Sequence, residues 1–375
     1  MSKKILYIVN DISFFVSHRL EIALSAKKEG LQIHLAYPRA DSKLEQTLKG
    51  FKHHPINLTR SGRNPLKEIL AFVSIYRVIK QVNPDLLHLI TIKPVVYGGM
   101  IASILKIHGV VSAVPGLGYS FIHKGVKATL FRFLISFLYK LAFKGDYLRV
   151  IFQNNDDKAI LKKLTKLDAS KIVLMKGSGV DLKKFYFSTL PKGKPIVSMA
   201  SRLQRDKGVF EFFEAAKILR DRKKEIEFHF IGEKDAFYAS KIEQEEIKKW
   251  KKTDYVKFLG FRKDIHNLFK ESTIIVLPSY REGFPKVLQE AAACGRPVIA
   301  SDVPGCREAI KEGKTGHLVE PRSATALADK IQELIENREL LQKMGYEARK
   351  LAEEEFSLDD IVSQHLELYD ELLKS

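Results

Sequence analysis

A chain of 375 residues that is 45% hydrophobic and 29% charged has core enough for two or three globular domains. Its two cysteines, Cys294 and Cys306, exclude a disulfide scaffold and supply no metal-ligand spacing; both are expected as small buried hydrophobes in a reducing cytoplasm. The net charge of +18 is uneven, with 28 Lys+Arg against 11 Asp+Glu in residues 1–180 and near neutrality beyond, so an anionic partner, nucleic acid or an anionic membrane, is expected for the first half.

The apolar run at residues 5–9 is too short for a signal-peptide core and is expected as a first strand. Asn10-Asp11-Ile12-Ser13 comes next at its carboxyl end, the edge where open α/β sheets bind ligands. A helix over residues 15–29, ended by Gly30, carries His18 and Arg19. That pair is read either as reaching a phosphate or sugar hydroxyl, or as an ordinary helix histidine beside a solvated arginine. Residues 33–37 and 55–58 read as strands, 66–81 as a helix, and 85–90 as a strand running into Thr91-Ile92-Lys93-Pro94. Threonine and lysine there suit a phosphate or an acceptor; a helix cap followed by an exposed lysine is the other reading. Residues 110–114 lead into Pro115-Gly116-Leu117-Gly118-Tyr119, whose Gly-Leu-Gly lacks a full dinucleotide fingerprint and is explained by a tight turn.

In residues 124–144, KGVKATLFRFLISFLYKLAFK, an apolar run of about sixteen residues is broken by Arg132 and Lys140, and falls short of a membrane span. Aromatic and leucine residues with basic flanks suit a helix lying among lipid headgroups, while a core helix under the sheet is the alternative. Strands at 150–153 and 172–175 close the first series, and the polar, proline-containing residues 189–195 read as a linker.

A second β/α series starts with the strand at 196–199. Arg202 and Lys207 sit around the turn into a helix at 209–219. Two cations beside a helix start can neutralise a diphosphate, or form a solvated basic loop. Strands at 227–231 and 256–259 precede Gly232-Glu233 and Gly260-Phe261-Arg262. Residues 274–277 read as a buried parallel strand feeding a Pro-Ser-Tyr turn, the loop Arg281-Glu282-Gly283-Phe284, and a helix opening at Pro285 with Val287, Leu288, Ala291 and Ala292 on its apolar face. Such a helix start presents free N–H groups to an anion, and Glu290 lies roughly 7–8 Å down the helix. A molecule with hydroxyls at both ends and negative charge between, such as a nucleotide sugar, would meet Glu282, the helix start and Glu290 in turn. Two solvated glutamates on a surface loop would share that spacing. A strand at 298–300, residues 316–320, a helix at 324–335 and a final amphipathic helix at 356–375 complete the chain. There is no D-x-D pair and no His/Cys cluster, so no metal is expected on the phosphates, and no residue stands out as a general base.

The stretch EGFPKVLQE at residues 282–290, with its E-x7-E pair, resembles the donor-binding signature of family 4 retaining glycosyltransferases, which have the GT-B fold. Ser201-Arg202-Leu203 with Lys207-Gly208 is similar to that family's diphosphate clamp, and Ile231-Gly232-Glu233, Leu259-Gly260-Phe261 and Ser301-Asp302-Val303-Pro304-Gly305 fall in its order. The resemblance is specific over residues 195–330. It implies an α/β fold of two Rossmann-like doubly wound domains facing each other across a cleft. Residues 1–187 would be the acceptor-binding, membrane-facing domain, 188–355 the nucleotide-sugar-binding domain, and 356–375 a helix crossing back to the first. It further implies that Arg202 and Lys207 stabilise the departing diphosphate, that Glu282 meets the transferred hexose and Glu290 the ribose, and that Ser201, Gly232, Phe261, Gly283, Phe284, Pro285, Val287 and Leu288 line the donor. His18, Arg19, Lys93 and Gly118 are the corresponding acceptor candidates.

Two departures from the family pattern matter. The first loop lacks the glycine pair of many relatives, and Val114-Pro115 stands where many carry a sugar-contacting histidine. The second points to a subgroup that includes transferases adding N-acetylgalactosamine to undecaprenyl-diphosphate-bacillosamine in bacterial protein N-glycosylation. That resemblance implies UDP-N-acetylgalactosamine as donor with no cofactor, an α linkage, an undecaprenyl-diphosphate-linked acceptor, and a place on the inner face of an anionic cytoplasmic membrane. Lipopolysaccharide or capsule assembly is the alternative. From charge alone a nucleic-acid-binding protein is the rival, though no nucleic-acid motif is present; a module that holds a nucleotide sugar without turnover is a third reading.

Overall fold

A computed structural model describes residues 2–38, 47–59, 64–117, 126–233 and 242–374, with the backbone alone over 126–131. The chain divides into two compact units, Met1–Ser178 with Asp359–Ser375, and Gly179–Leu358.

In the first unit, among the described residues, seven parallel strands form one sheet: β1 (Lys4–Val9), β2 (Gln32–Tyr37), β3 (Lys52–Pro55), β4 (Leu86–Ile90), β5 (Gly109–Val114), β6 (Leu148–Phe152) and β7 (Ile172–Leu174). Their spatial order is β3-β2-β1-β4-β5-β6-β7. Alternation along β1 supplies both faces: Leu6 and Ile8 enter one core, Ile5, Tyr7 and Val9 the other. The linking helices are α1 (Ile12–His18), α2 (Leu20–Lys28), α3 (Pro65–Val82), α4 (Ile92–Leu105), α5 (Val126–Ala142) and α6 (Asn155–Thr165). Helices α3 to α6 cover the Leu6 face; α1, α2 and the chain's last helix cover the other.

The single helix expected over 15–29 is thus two. Asp11 caps α1 by accepting from the Ser13 N–H, so α1 starts at Ile12, and the chain breaks at Arg19 (φ −136°, ψ −9°) before α2. The α5 stretch is half core. Tyr139 and Ala142 sit in the core, while Phe133, Leu134 and Phe137 are exposed large apolar side chains on the same helix.

The second unit is a sheet of six parallel strands among the described residues: β8 (Ile196–Ala200), β9 (Glu227–Ile231), β10 (Lys257–Gly260), β11 (Ile274–Leu277), β12 (Val298–Ser301) and β13 (Gly316–Val319), ordered β10-β9-β8-β11-β12-β13. Its helices are α7 (Val209–Asp221), α8 (Gln244–Lys251), α9 (Ile265–Glu271), α10 (Lys286–Ala293), α11 (Pro304–Ala309), α12 (Ala324–Ile335) and α13 (Arg338–Glu355). Helices α7 and α12 pack on Val197 and Met199 of β8, α10 and α13 on Ile275 and Leu277 of β11. Cys294 and Cys306 are buried in the second of these cores. The last helix, α14 (Leu358–Lys374), packs through Leu368, Tyr369 and Leu372 against the first unit.

Residues 189–195 are no free linker. Leu190 lies in the second unit's core, and the buried Arg296 guanidinium donates to the Thr189 carbonyl (3.1 Å) and the Ser272 carbonyl (3.2 Å). The division falls instead after Ser178, beside Gly179, whose φ of +76° and whose closeness to Leu358 (an added Cβ would lie 2.7 Å from its Cα) exclude a side chain. In each sheet strand order reverses once, between β1 and β4 and between β8 and β11. Crevices at such reversals are where doubly wound sheets hold ligands.

Candidate functional site

The loops leaving β8 and β11 flank the reversal in the second sheet. Backbone bonds stitch the carboxyl ends of three strands together: Ser201 N–H to the Ile231 carbonyl (3.0 Å), Leu203 N–H to Glu233 (3.1 Å), and Gly232 N–H to Gly260 (2.8 Å). Gly232 (φ +147°) leaves no room for a Cβ, which would stand 1.8 Å from the Ser201 carbonyl oxygen. After β8 a 3-10 turn, Arg205–Lys207, ends at Gly208 (φ +74°), and α7 starts. Here the two loops touch, since a Cβ on residue 208 would lie 1.9 Å from the Pro278 carbonyl oxygen. Gly208→Ala therefore meets both a left-handed backbone and a backbone overlap. We expect a loss of at least about 2 kcal/mol of stability, read as a lowered melting temperature of the free protein.

Across that contact the Tyr280 N–H donates to the Asp206 carbonyl (2.9 Å), and the Lys207 Nζ meets Glu282 Oε1 at 2.7 Å. The two side chains are only 19% and 11% exposed, so this is a charge-assisted bond in a largely water-excluded place. From the other side the Gly305 N–H holds the Glu282 carbonyl (3.2 Å).

Helix α10 begins at Lys286, one residue later than the sequence indicated. Pro285 is its N-cap and makes no side-chain cap bond, and the Leu288 N–H turns back to the Pro285 carbonyl (3.2 Å). Glu290 is 16% exposed, with its Oε1 4.0 Å from the Lys286 ammonium. Burial pushes its carboxyl up to about 7, against the opposing pull of Lys286 and Lys184. Phe261 stands 64% exposed beyond Gly260 (φ +66°). Ser201, Arg202, Gly283 and Val287 are half-buried in the same loops, and the Ser201 hydroxyl donates to the Arg202 carbonyl (3.1 Å). Geometrically, the site offers fixed cations and amide dipoles to a diphosphate and carboxylates to hydroxyls.

Three of the expected donor-lining residues have buried side chains. Phe284 is buried and packs edge-on against Phe356 (5.5 Å between ring centroids), and Leu288 is buried on the inward face of α10. Their side chains, with that of the buried Pro285, support the loop from beneath.

The acceptor candidates in the first unit are brought together less. Arg19 is 1% exposed, drawn into the face that holds Tyr7 and Tyr369, and burial pulls its pKa below the usual arginine value. His18 is half-buried, stacked on Phe14 at 4.1 Å, with Nδ1 2.7 Å from the Ser17 hydroxyl. Lys93 is no exposed lysine: its ammonium lies 2.6 Å from Glu68, whose other carboxylate oxygen accepts from the Tyr97 hydroxyl at 2.6 Å. Gly118 lies outside the described residues.

Sequence reasoning missed Glu68, Asp206 and Tyr280, and named Gly305 only as part of a motif. Asp206 and Gly305 act through backbone groups, which leave no compositional signal. Among the described residues no group of three or more His, Cys, Asp or Glu is placed to hold a metal ion.

Two doubly wound units, one with cations and two glutamates in the loops at its strand reversal, have the architecture of enzymes that take nucleotide-linked substrates, and comparison with known proteins gives the class. Residues 182–351 match the family model for glycosyl transferases group 1, and residues 4–154 that for glycosyl transferase 4-like domains. The chain belongs to the family 4 glycosyltransferases of the GT-B fold. It is 31% identical over 372 residues (95% of this chain, 96% of the other) to the N,N'-diacetylbacillosaminyl-diphospho-undecaprenol alpha-1,3-N-acetylgalactosaminyltransferase of Campylobacter jejuni. It is 27% identical over 268 residues (68% and 67%) to the UDP-Gal:alpha-D-GlcNAc-diphosphoundecaprenol alpha-1,3-galactosyltransferase of Escherichia coli. A glycosyltransferase crystal structure from Rickettsia africae superimposes with a TM-score of 0.78 over 100% of this chain and 99% of that one, at 24% identity. The chain is accordingly a hexosyl- or N-acetylhexosaminyltransferase.

Proposed function

We propose that the chain transfers N-acetylgalactosamine from UDP-N-acetylgalactosamine, with retention of configuration, onto a sugar carried on undecaprenyl diphosphate. The observation that carries the donor half is the half-buried Lys207–Glu282 pair where the loops after β8 and β11 meet. In this reading Arg202, Lys207 and the α10 N-terminus take up the charge that grows on the β-phosphate as the glycosidic bond breaks. Glu282 accepts from hydroxyls of the transferred sugar, Glu290 from the ribose, and Phe261, Gly232 and Ser201 border the base and phosphates. The leaving diphosphate itself takes the acceptor's proton.

The acceptor half rests on likeness. The relatives from Campylobacter jejuni and Escherichia coli both act, by their names, on sugars linked to diphospho-undecaprenol. The first unit, with His18 and Lys93 near its strand reversal, is the proposed acceptor side. Among the described residues no helix is long and apolar enough to cross a membrane. Phe133, Leu134 and Phe137 of α5, and Leu66, Ile69 and Leu70 of α3, are instead exposed on the helical layer of that unit. Inserting such side chains among acyl chains yields about 1.5–3 kcal/mol each, which suits a protein lying on the inner face of an anionic membrane.

The test is a panel of UDP-sugars against short-chain polyprenyl-diphosphate-linked and soluble acceptors, with released UDP and the product linkage measured. Transfer of N-acetylgalactosamine to a polyprenyl-diphosphate-linked sugar is expected; preference for a soluble acceptor would overturn the acceptor assignment. In parallel, the Phe133→Ser/Phe137→Ser pair is expected to weaken binding to anionic liposomes at least roughly tenfold without changing turnover of a water-soluble acceptor analogue. Unchanged flotation would remove that face from contact with lipid.

A further inference from the structure

One side chain beside the donor site belongs to neither the cation turn nor the glutamate loop, yet is bonded to both neighbourhoods. Tyr280 comes directly after the Pro-Ser of the β11 exit and precedes Glu282 by two residues. Its N–H donates to the Asp206 carbonyl (2.9 Å), inside the 3-10 turn that carries Lys207. Its hydroxyl donates to Glu211 Oε1 (2.7 Å) in the first turn of α7, the helix that this turn feeds. The Arg322 guanidinium, from the loop after β13, lies over its ring at 4.6 Å. Residue 280 thus ties together the segments at the carboxyl ends of β8, β11 and β13.

The Glu211 end is fixed in turn. An acidic residue in a first turn is favoured by the helix dipole. Its Oε2 is buried with no hydrogen-bond partner among the described residues, so the tyrosine hydroxyl, on Oε1, is what holds this carboxylate in place. Burial, and after it the hydrogen bond with Glu211, push the phenol's pKa up, so the hydroxyl remains a donor at any working pH. Two links of known length, one from backbone and one from side chain, therefore set how far the glutamate loop stands from the cation turn.

We propose that Tyr280 is a positioning residue for the transfer step: through Asp206 and Glu211 it holds Glu282 and Lys207 at their working separation without itself touching the donor. This inference rests on the donor-site reading given under the proposed function. A displacement of about 1 Å at reacting groups costs up to roughly 100-fold in rate, and the effect falls on kcat if the displaced cation acts mainly in the transition state. Glu290, on α10, lies outside the Tyr280 links, with its Oε1 4.0 Å from the Lys286 ammonium, so donor affinity should survive.

The experiment uses the full chain with UDP-N-acetylgalactosamine and the best acceptor from the panel. Tyr280→Phe keeps the ring under Arg322 and the backbone link but deletes the bond to Glu211. We expect kcat to fall roughly 10- to 100-fold with KM for the donor within about threefold of wild type. Glu211→Gln, which keeps an acceptor for the phenol, should retain most activity. Glu211→Leu should lose as much as Tyr280→Phe, and the double variant Tyr280→Phe/Glu211→Leu should lose no more than either, because both remove one link. Partial unfolding would also lower the apparent kcat and spare KM, so melting curves and the folded fraction at the assay temperature are measured for each variant, and kcat is taken per folded enzyme. Wild-type kcat in Tyr280→Phe, multiplicative losses in the double variant, or a KM rise matching the kcat loss would each overturn the proposal. A wild-type chain that releases UDP from no UDP-sugar would instead overturn the donor reading, and this inference with it.

Discussion

Replacing Lys207 by alanine is expected to lower kcat by about 100- to 1,000-fold while KM for the UDP-sugar rises less than about tenfold. The reason is preorganisation. The ammonium is held by Glu282 at 2.7 Å in a place where both side chains are mostly removed from water. A cation so fixed needs no reorganisation when charge develops on the β-phosphate, and it acts there through a lower dielectric than bulk water. Ground-state binding of the nucleotide is shared among Arg202, the α10 amides and Glu290, so it should fall less than the rate. Lys207→Arg is the informative companion. A guanidinium retains the charge but not the point-like ammonium geometry against Glu282, and partial recovery of kcat is expected. The alanine variant also strands a buried carboxylate, so melting curves should show a loss of about 1–3 kcal/mol, which Glu282→Gln added to Lys207→Ala should largely recover. A Lys207→Ala enzyme turning over within threefold of wild type would leave the ion pair with a structural role only.

What is legible in the sequence is written in local residues. The runs that form β8, β11 and β12 are short, apolar, rich in Ile and Val and closed by turn residues, β9 alternates polar and aromatic residues, and each lies within a residue or two of its expected place. The proposed donor groups are named from the sequence for the same reason, because Arg202 with Lys207 and Glu282 with Glu290 each fall within one short stretch, after β8 and after β11. The losses share a different cause. Arg19 reads as solvent-facing because its cover comes from Tyr369, at the far end of the chain, and no window around residue 19 contains it. Lys93 reads as free because Glu68 stands on another helix. The packing of the Phe284 ring on Phe356 is not legible either, since no window around residue 284 contains its partner. The polar residues 189–195 look like a linker, yet Arg296 and Arg338, more than a hundred positions on, donate to the carbonyls of Thr189 and Pro191. Local pattern specifies elements; partner choice is set by packing between segments distant in sequence.

Glu290 carries the second large prediction, and its sign is worked out from burial. In the free protein its carboxyl is pushed from 4.5 up to about 7, chiefly by loss of water, so it is half-protonated near neutrality. A raised folded value means that its contribution to stability is complete below pH 4.5 and is lost as pH rises through about 7. Glu290→Gln removes that penalty, so at pH 8 the free variant should be more stable than wild type by up to about 3 kcal/mol. Binding reverses the preference, because ribose hydroxyls that donate hydrogen bonds favour the ionised acceptor. Donor binding should therefore expel a proton, and wild-type Kd should rise up to roughly tenfold per unit as pH falls below about 7. An intact UDP-sugar is the ligand to use, since its diphosphate diester does not titrate in this range whereas the terminal phosphate of UDP does. Glu290→Gln should bind more weakly at pH 8 and show a flat profile from pH 6 to 8, so the two curves converge as the medium becomes acidic. Calorimetry in two buffers of different ionisation enthalpy reads the proton directly. A wild-type profile as flat as that of the glutamine variant would mean that the buried carboxylate does not face the nucleotide, and the proposed grip on the ribose would have to move to another side chain.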